Sequence, residues 1–347
     1  MKSRFIVLQV VAILVFGAVG NAEPGYDPAP PASPWGPADE AGNTNLLTPE
    51  KALAAKKHIK TGLSFVLAHD SENGMPLAPG NTWVQTAKGP IAVNKQVANA
   101  DQIIADFTQD GTQFDALCHQ GYLPNGTLSP VTDAVYYNQF HHLDVVGVDG
   151  LKLCGVDKLR PYVTKAILVD VSRYLFANQV MPEGTAITVE MALATLAAQG
   201  MSGTDIEPGD VVMFRTGWER NWSVTPGSVE STLNYYKGFP GVPGGVPGVS
   251  LDLAIWLSEK RVAAVGADNW GVDVAPAPNP PPGITLPVHN HLLTRGIPLL
   301  ESLHLEALAD HLANTPPVGN LYEFAFFFSP VRVKGGSGSP ASPVAVL

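Results

Sequence analysis

The sequence predicts a single α/β domain, a mixed β-sheet core with helices packed on it. Three observations carry this. Short apolar, β-branched segments bounded by turn residues alternate with segments of helical periodicity, the order that pairs strands and helices in one layered domain. Apolar residues make up 45% of the 347-residue chain and charged ones 15%, enough to bury a large core and too apolar for disorder. Beyond residue 37 no internal repeat, heptad pattern or compositional break divides the chain.

Taken in order, residues 1–22 read as a secretory signal peptide. Lys2 and Arg4 precede the apolar run Phe5–Val19, and Gly20-Asn21-Ala22 supplies small residues for cleavage. The run is shorter than the ~20 residues a spanning helix needs. Export to a periplasm or the cell exterior is expected, with no stable membrane anchor after cleavage. Residues 23–37 carry too many prolines for a helix or a central strand and read as an extended arm. The domain then runs over 38–347. Strands are expected at Ile167–Val171, Asp210–Phe214, Val262–Val265 and Phe324–Phe328. Thr188 can cap a helix through Ala198 that stops at Gly200, and Ser250 one through Lys260. Further helices are expected after Pro287 and over Glu301–Ala313. The Pro/Gly stretches Gly238–Gly248 and Ala275–Gly283 are long loops, the kind used as lids, binding loops or oligomer contacts.

A net charge of −10 excludes the clustered positive charge of a nucleic-acid footprint. Cys118 and Cys154 are too few for a disulfide framework, although an oxidising compartment would let them pair if they meet. Asn125-Gly126-Thr127 and Asn221-Trp222-Ser223 are glycosylation sequons, relevant only in a eukaryotic source.

Three segments carry candidate chemistry. In Gln109-Asp110-Gly111-Thr112-Gln113-Phe114-Asp115-Ala116-Leu117-Cys118-His119, Gly111-Thr112 predicts a tight turn into a strand. Gln113, Asp115 and Leu117 then share one face, so two polar side chains converge on a cation, a substrate or plain solvent. Cys118 and His119 would point to opposite faces, which argues against a thiol nucleophile. Pro287-Val288-His289-Asn290-His291-Leu292-Leu293 is the second segment, followed by Gly296-Ile297 in a strand and then Glu301. A helical histidine beside two leucines is more often core than ligand. The third, Tyr136-Tyr137-Asn138-Gln139-Phe140-His141-His142, alternates aromatic and polar residues, fitting substrate contact and packing equally.

Together these segments resemble the cyclase family of metal-dependent hydrolases, which includes bacterial kynurenine formamidase and isatin hydrolase. The family signature His-x-Gly-Thr-His-x-Asp-x-Pro-x-His is similar to Gln109–His119, which retains Gly111, Thr112, Asp115 and His119. His289, Leu292-Leu293, Gly296-Ile297 and Glu301 match the downstream pattern in order and spacing. Pro208-Gly209-Asp210 with Arg215-Thr216-Gly217-Trp218 matches as well, as do Pro247-Gly248, Gly266-Ala267-Asp268-Asn269-Trp270 and the closing Gly338–Val344. The resemblance spans roughly residues 35–347. It departs where the signature's first two histidines are Gln109 and Gln113 and its proline is Leu117.

The resemblance implies the family's β/β/α architecture and hydrolysis of an amide, lactam or lactone bond in a small cyclic or aromatic substrate, as in an arylformamidase. It implies a divalent metal, Mn²⁺ or Zn²⁺, on Asp115, His289 and Glu301, with Gln109 and Gln113 in the positions of the missing imidazoles. Amide oxygens are weaker ligands than imidazole and tilt such a set toward a harder cation, Mn²⁺ or Mg²⁺. His119 takes the role of proton donor and acceptor. Trp35, Tyr136, Tyr137, Phe140 and Trp270 are the aromatic candidates for holding a flat substrate. If the glutamines abolish the metal, His119 with Asp115 would serve a metal-independent cyclase, dehydratase or isomerase. A third reading is an exported binding protein that kept the pocket. The long loops and the resemblance favour a homo-oligomer, a dimer or tetramer.

Overall fold

The computed structural model describes residues 26–314 and 322–347. Residues 1–22, where a signal peptide is expected, and the first residues of the expected arm lie outside the described residues. Nine strands form the main sheet. They are β1 (Ser64–Val66), β2 (Gln113–Asp115), β3 (Tyr162–Val169), β4 (Val211–Phe214), β5 (Ala264–Ala267), β6 (Leu299–Glu301), β7 (Glu323–Phe328), β8 (Gly338–Pro340) and β9 (Val344–Val346). Their order is β1-β9-β7-β3-β4-β5-β6-β2-β8. The central strands β3, β4, β5 and β6 run parallel, and every pairing outside them is antiparallel. Fully buried Val211–Phe214 and Ala264–Ala267 are near-continuous apolar runs, as central parallel strands covered on both faces require.

The expected strands all form, with shifted ends. The first starts earlier, at Tyr162, and stops before Asp170, whose side chain accepts the Arg173 N–H and caps a short helix. Thr188 caps α1 (Val189–Ala198) by accepting the Met191 N–H, and Gly200 follows it at φ +75°. Ser250 precedes α2 (Leu251–Glu259), but its hydroxyl donates to the Ile187 carbonyl rather than capping. Pro287 opens α3 (Pro287–Thr294) at its first turn, where a missing N–H costs nothing. The expected helix over Glu301–Ala313 is corrected: Glu301 ends β6, and α4 spans Glu306–Asn314. Backbone pairing with β2 competes for Leu299–Glu301 and wins.

The core lies where Phe114, Tyr162, Phe326 and Phe328 interlock in edge-on and tilted pairs between β2, β3 and β7. Two charged networks are folded into the body. Arg215, fully buried, reaches Asp170 at 2.6 Å and Glu306 at 2.7 Å. Lys165 contacts Asp210 at 3.1 Å and Glu323 at 3.0 Å. Among the described residues no helix is long and apolar enough to cross a membrane.

Candidate active site

Sheet register assembles the centre. Glu301 on β6 is the direct partner of Gln113 on β2, and Asp115 lies two residues further along β2. Residues two apart on a strand share a face, so Gln113, Asp115 and Glu301 present their side chains together. α3 lays His289 across them: Nε2 stands 3.0 Å from Glu301 Oε1 and 3.5 Å from Asp115 Oδ2. All three side chains are buried, and one ligand atom from each lies within 4.8 Å of the others.

The expected strand through His119 ends at Asp115. The His119 N–H donates to the Ala116 carbonyl, so 116–119 is a turn. That turn, rather than strand alternation, carries the imidazole back to Asp115, with Nε2 3.7 Å from Oδ2 and its ring 6.4 Å from that of His289. Leu117 and Cys118 turn into the core, and the Cys118 thiol meets Cys154; both cysteines are free. Burial pushes the Cys118 thiol far above its ordinary range, which makes it a poor nucleophile.

Asp273 was missed by sequence reasoning. Its Oδ2 accepts from His289 Nδ1 at 2.7 Å and from the His289 backbone N–H, while Oδ1 accepts the Val288 N–H. A carboxylate behind the imidazole fixes the ring and leaves Nε2 facing the centre. The only sequence signal was the Gly271-Val272-Asp273 turn, where β-branched Val272 sits at φ +57°. Gln109 and Ser302 also have positive φ, so three residues that disfavour this conformation border the site. Asn269 supports the turn, its amide donating to Pro247 O and its oxygen accepting the Val272 N–H.

The glutamines present nitrogen to the centre. Gln113 Nε2 donates to Glu301 Oε2 at 2.5 Å and Gln109 Nε2 to the same oxygen at 3.2 Å, while Gln113 Oε1 accepts the Gln109 backbone N–H. In this orientation the amide nitrogens, rather than the oxygens expected as ligands, face the Glu301 carboxylate, an acceptor that attracts N–H groups. Gln109 Oε1 remains buried without a partner.

Electrostatics follow from crowding. Burial, then repulsion from Asp115, raises Glu301 to about 7 against the opposing pull of His289 and Gln113. Burial alone would drive the His289 imidazolium down, but Asp115, Asp273 and Glu301 overrule it and hold the ring well above the ordinary histidine range. Both Asp115 oxygens and Glu301 Oε1 are buried, and His289 Nε2 is the group that faces Glu301 Oε1. Two carboxylates aimed at one point with free lone pairs fit a cation, so the residues present suit a divalent metal on Asp115, His289 and Glu301.

Of the aromatic candidates, Trp270 borders the centre. The adjacent Gly271 faces His289, and the indole donates to the Lys237 carbonyl within a cluster with Tyr236 and Phe239. Tyr236, also missed, donates its hydroxyl to the Gln109 carbonyl at 2.9 Å. The contacts of the others lead elsewhere. Trp35 lines a surface depression with Asp39 and Asn45 and lies under Arg261. Tyr136 pairs with His142, the Tyr137 hydroxyl lies between Ser33 of the arm and Asp39 just beyond it, and Phe140 packs against the core. His291 turns away from the centre to Ser258 on α2 at 2.9 Å.

Comparison with known proteins places this geometry. The family model described as "Putative cyclase" matches residues 63–274. A crystal structure of a novel cyclase is 28% identical, with a TM-score of 0.75 over 90% of this chain and 98% of that one. Isatin hydrolase A from Ralstonia solanacearum is 22% identical, with a TM-score of 0.52 over 86% of this chain and 97% of its own. Isatin hydrolase A from Labrenzia aggregata, bound to benzyl benzoate, is 18% identical, with a TM-score of 0.52 over 84% and 94%. No curated protein matches the chain in sequence.

Proposed function

The chain belongs to the cyclase family, and from that premise we propose that it is a metal-dependent hydrolase of an amide, lactam or lactone bond in a small cyclic or aromatic substrate. One observation carries the reading: Asp115, His289 and Glu301 converge, buried, with one ligand atom from each within 4.8 Å of the others. These three residues would hold the cation, which when bound acidifies a water and polarises a carbonyl. Asp273 fixes the His289 ring, and the Gln109 and Gln113 amides hold Glu301 Oε2. His119, beside Asp115 and partly open to solvent, takes a proton from the attacking water and returns it to the leaving nitrogen or oxygen as that bond to the acyl carbon breaks. Trp270, next in sequence to the Gly271 that faces His289, and Tyr236, bonded to the Gln109 carbonyl, are the aromatic residues that would hold a flat substrate. The two isatin hydrolases are named for isatin, a cyclic amide, which agrees with this class.

A second reading, a metal-independent cyclase, dehydratase or isomerase using His119, is favoured by the glutamines: two amide N–H groups already pair with Glu301 Oε2, and the His289 ring stands 3.0 Å from Oε1. The test is metal analysis of natively purified protein with a panel of cyclic amides and lactones, before and after chelation. Turnover abolished by chelator and restored by Mn²⁺ or Zn²⁺ is the expected result. Turnover that survives complete metal removal moves the second reading ahead. The proposal includes export and a homo-oligomeric state; an intact mass beginning near residue 23 and a light-scattering mass above one chain check these two points.

A further inference from the structure

We propose that His69, Glu219 and His304 form a second metal site, suited to Zn²⁺ and separate from the Asp115 centre. It shares no residue with that centre, and its ligands come from three segments distant in sequence. One ligand atom from each lies within 4.8 Å of the others. His304 Nδ1 stands 3.4 Å from Glu219 Oε2. Adjacent ligands on a tetrahedral zinc with bonds of ~2.0–2.2 Å sit about 3.3 Å apart, so one edge of the polyhedron is already in place. His69 Nε2 is buried without a hydrogen-bond partner, and buried His304 Nδ1 has the Glu219 carboxylate beside it, so an imidazole nitrogen and a carboxylate–imidazole pair face one another at the site.

Each ligand is held in position. His69 stacks flat on Trp222, ring centres 4.2 Å apart and 8° from parallel, and its backbone N–H donates to Thr112 Oγ1. The Glu219 oxygens each accept one backbone N–H, from Leu305 and Glu306, both at 2.6 Å, and each oxygen keeps a further lone pair. The His304 N–H donates to the Leu67 carbonyl. Two histidines and a glutamate leave one tetrahedral position open, and the half-exposed His304 ring gives an ion access from solvent. Occupancy would brace the active-site strands, because Thr112 Oγ1 also donates to the Ser302 carbonyl, joining the residue before Gln113 to the residue after Glu301.

The test uses the full chain, chelator-stripped, in a variant combining Asp115→Asn and Glu301→Gln that disables the first centre. Equilibrium dialysis with elemental analysis should find one zinc retained per chain. Adding His304→Ala or His69→Gln should weaken that zinc by at least about tenfold. Copper should quench the fluorescence of Trp222, and Trp222→Phe should remove that quenching. No zinc in the Asp115/Glu301 variant at sub-millimolar concentration, or zinc unchanged by both histidine substitutions, overturns the proposal. Should the Asp115/Glu301 variant fail to fold, the comparison is wild type against His304→Ala, whose side chain is half exposed. Loss of one bound equivalent supports the site, and an unchanged equivalent number overturns it, whichever metal the first centre holds.

Discussion

The Ala116 carbonyl accepts the His119 N–H, closing a turn directly after β2 that swings the imidazole over Asp115. General acid–base groups typically contribute roughly 10²–10⁴-fold, so His119→Ala should lower kcat by about that factor on whichever cyclic amide or lactone the panel identifies. His119→Asn should do the same with an unchanged melting temperature. A folded variant with near-normal kcat removes the residue from the mechanism. Asp273 acts through His289 instead. Asp273→Asn weakens the acceptor behind Nδ1, and groups in that position are worth about 10–100-fold in metal affinity. Competition against a chromogenic chelator measures this, and unchanged affinity would mean that Asp273 only holds the turn.

At the scale of elements, the close approach of the short strand Gly248–Val249 to the Asp273 turn controls where that carboxylate points. A Cβ at Gly248 would fall 2.4 Å from the Asp273 carbonyl oxygen, a backbone atom with no freedom to rotate away. Gly248→Ala should therefore cost about 1–3 kcal/mol, the usual range for overpacking. It should also displace Asp273, so that metal affinity falls along with the midpoint of urea unfolding. A variant of wild-type stability would show that the two segments separate freely. The same scale explains Gly296, which follows α3 at φ +83° while its Cα side presses on Gly42 and the Tyr137 ring. Its place after Leu292-Leu293 both ends the helix and lets the arm-proximal segment close against it.

For the molecule as a whole, the metal-free centre ties stability to pH. Glu301 is raised from 4.5 to about 7 by burial and then by Asp115, and His289 is held well above 6.5 by its three carboxylate neighbours. Folded values above unfolded ones mean that the native state binds the protons more tightly. The stabilisation is whole below 4.5 for Glu301 and is lost as pH rises through about 7; that of His289 is whole below 6.5 and is lost through its own raised value. Chelated protein should thus melt at a lower temperature at pH 8 than at pH 5. Added Mn²⁺ or Zn²⁺ requires deprotonated ligands, so its stabilisation should grow over the same window. Thermal unfolding with and without chelator checks both, and a flat or rising profile for the chelated protein would contradict the assignment of these protons.

The sequence by itself determined most of the elements and named four of the residues that the fold brings together. Thr188, Gly200 and Pro287 mark helix ends through bonds made within a few residues, and apolar β-branched runs mark central strands because both their faces are covered. Asp115, His119, His289 and Glu301 were legible because they sit in short, ordered patterns. What each one touches was not. Gln113 and Glu301 lie 188 residues apart, and only the antiparallel register of β2 with β6 makes them partners and turns the glutamine amide nitrogens inward. That same pairing takes Glu301 out of the expected helix. Asp273 and the His69–Glu219–His304 group stand in unremarkable local sequence and gain meaning only across the sheet's end. Local bonds are written in neighbouring residues, whereas burial, strand register and the choice between donor and acceptor are settled by which distant groups the folded chain places opposite.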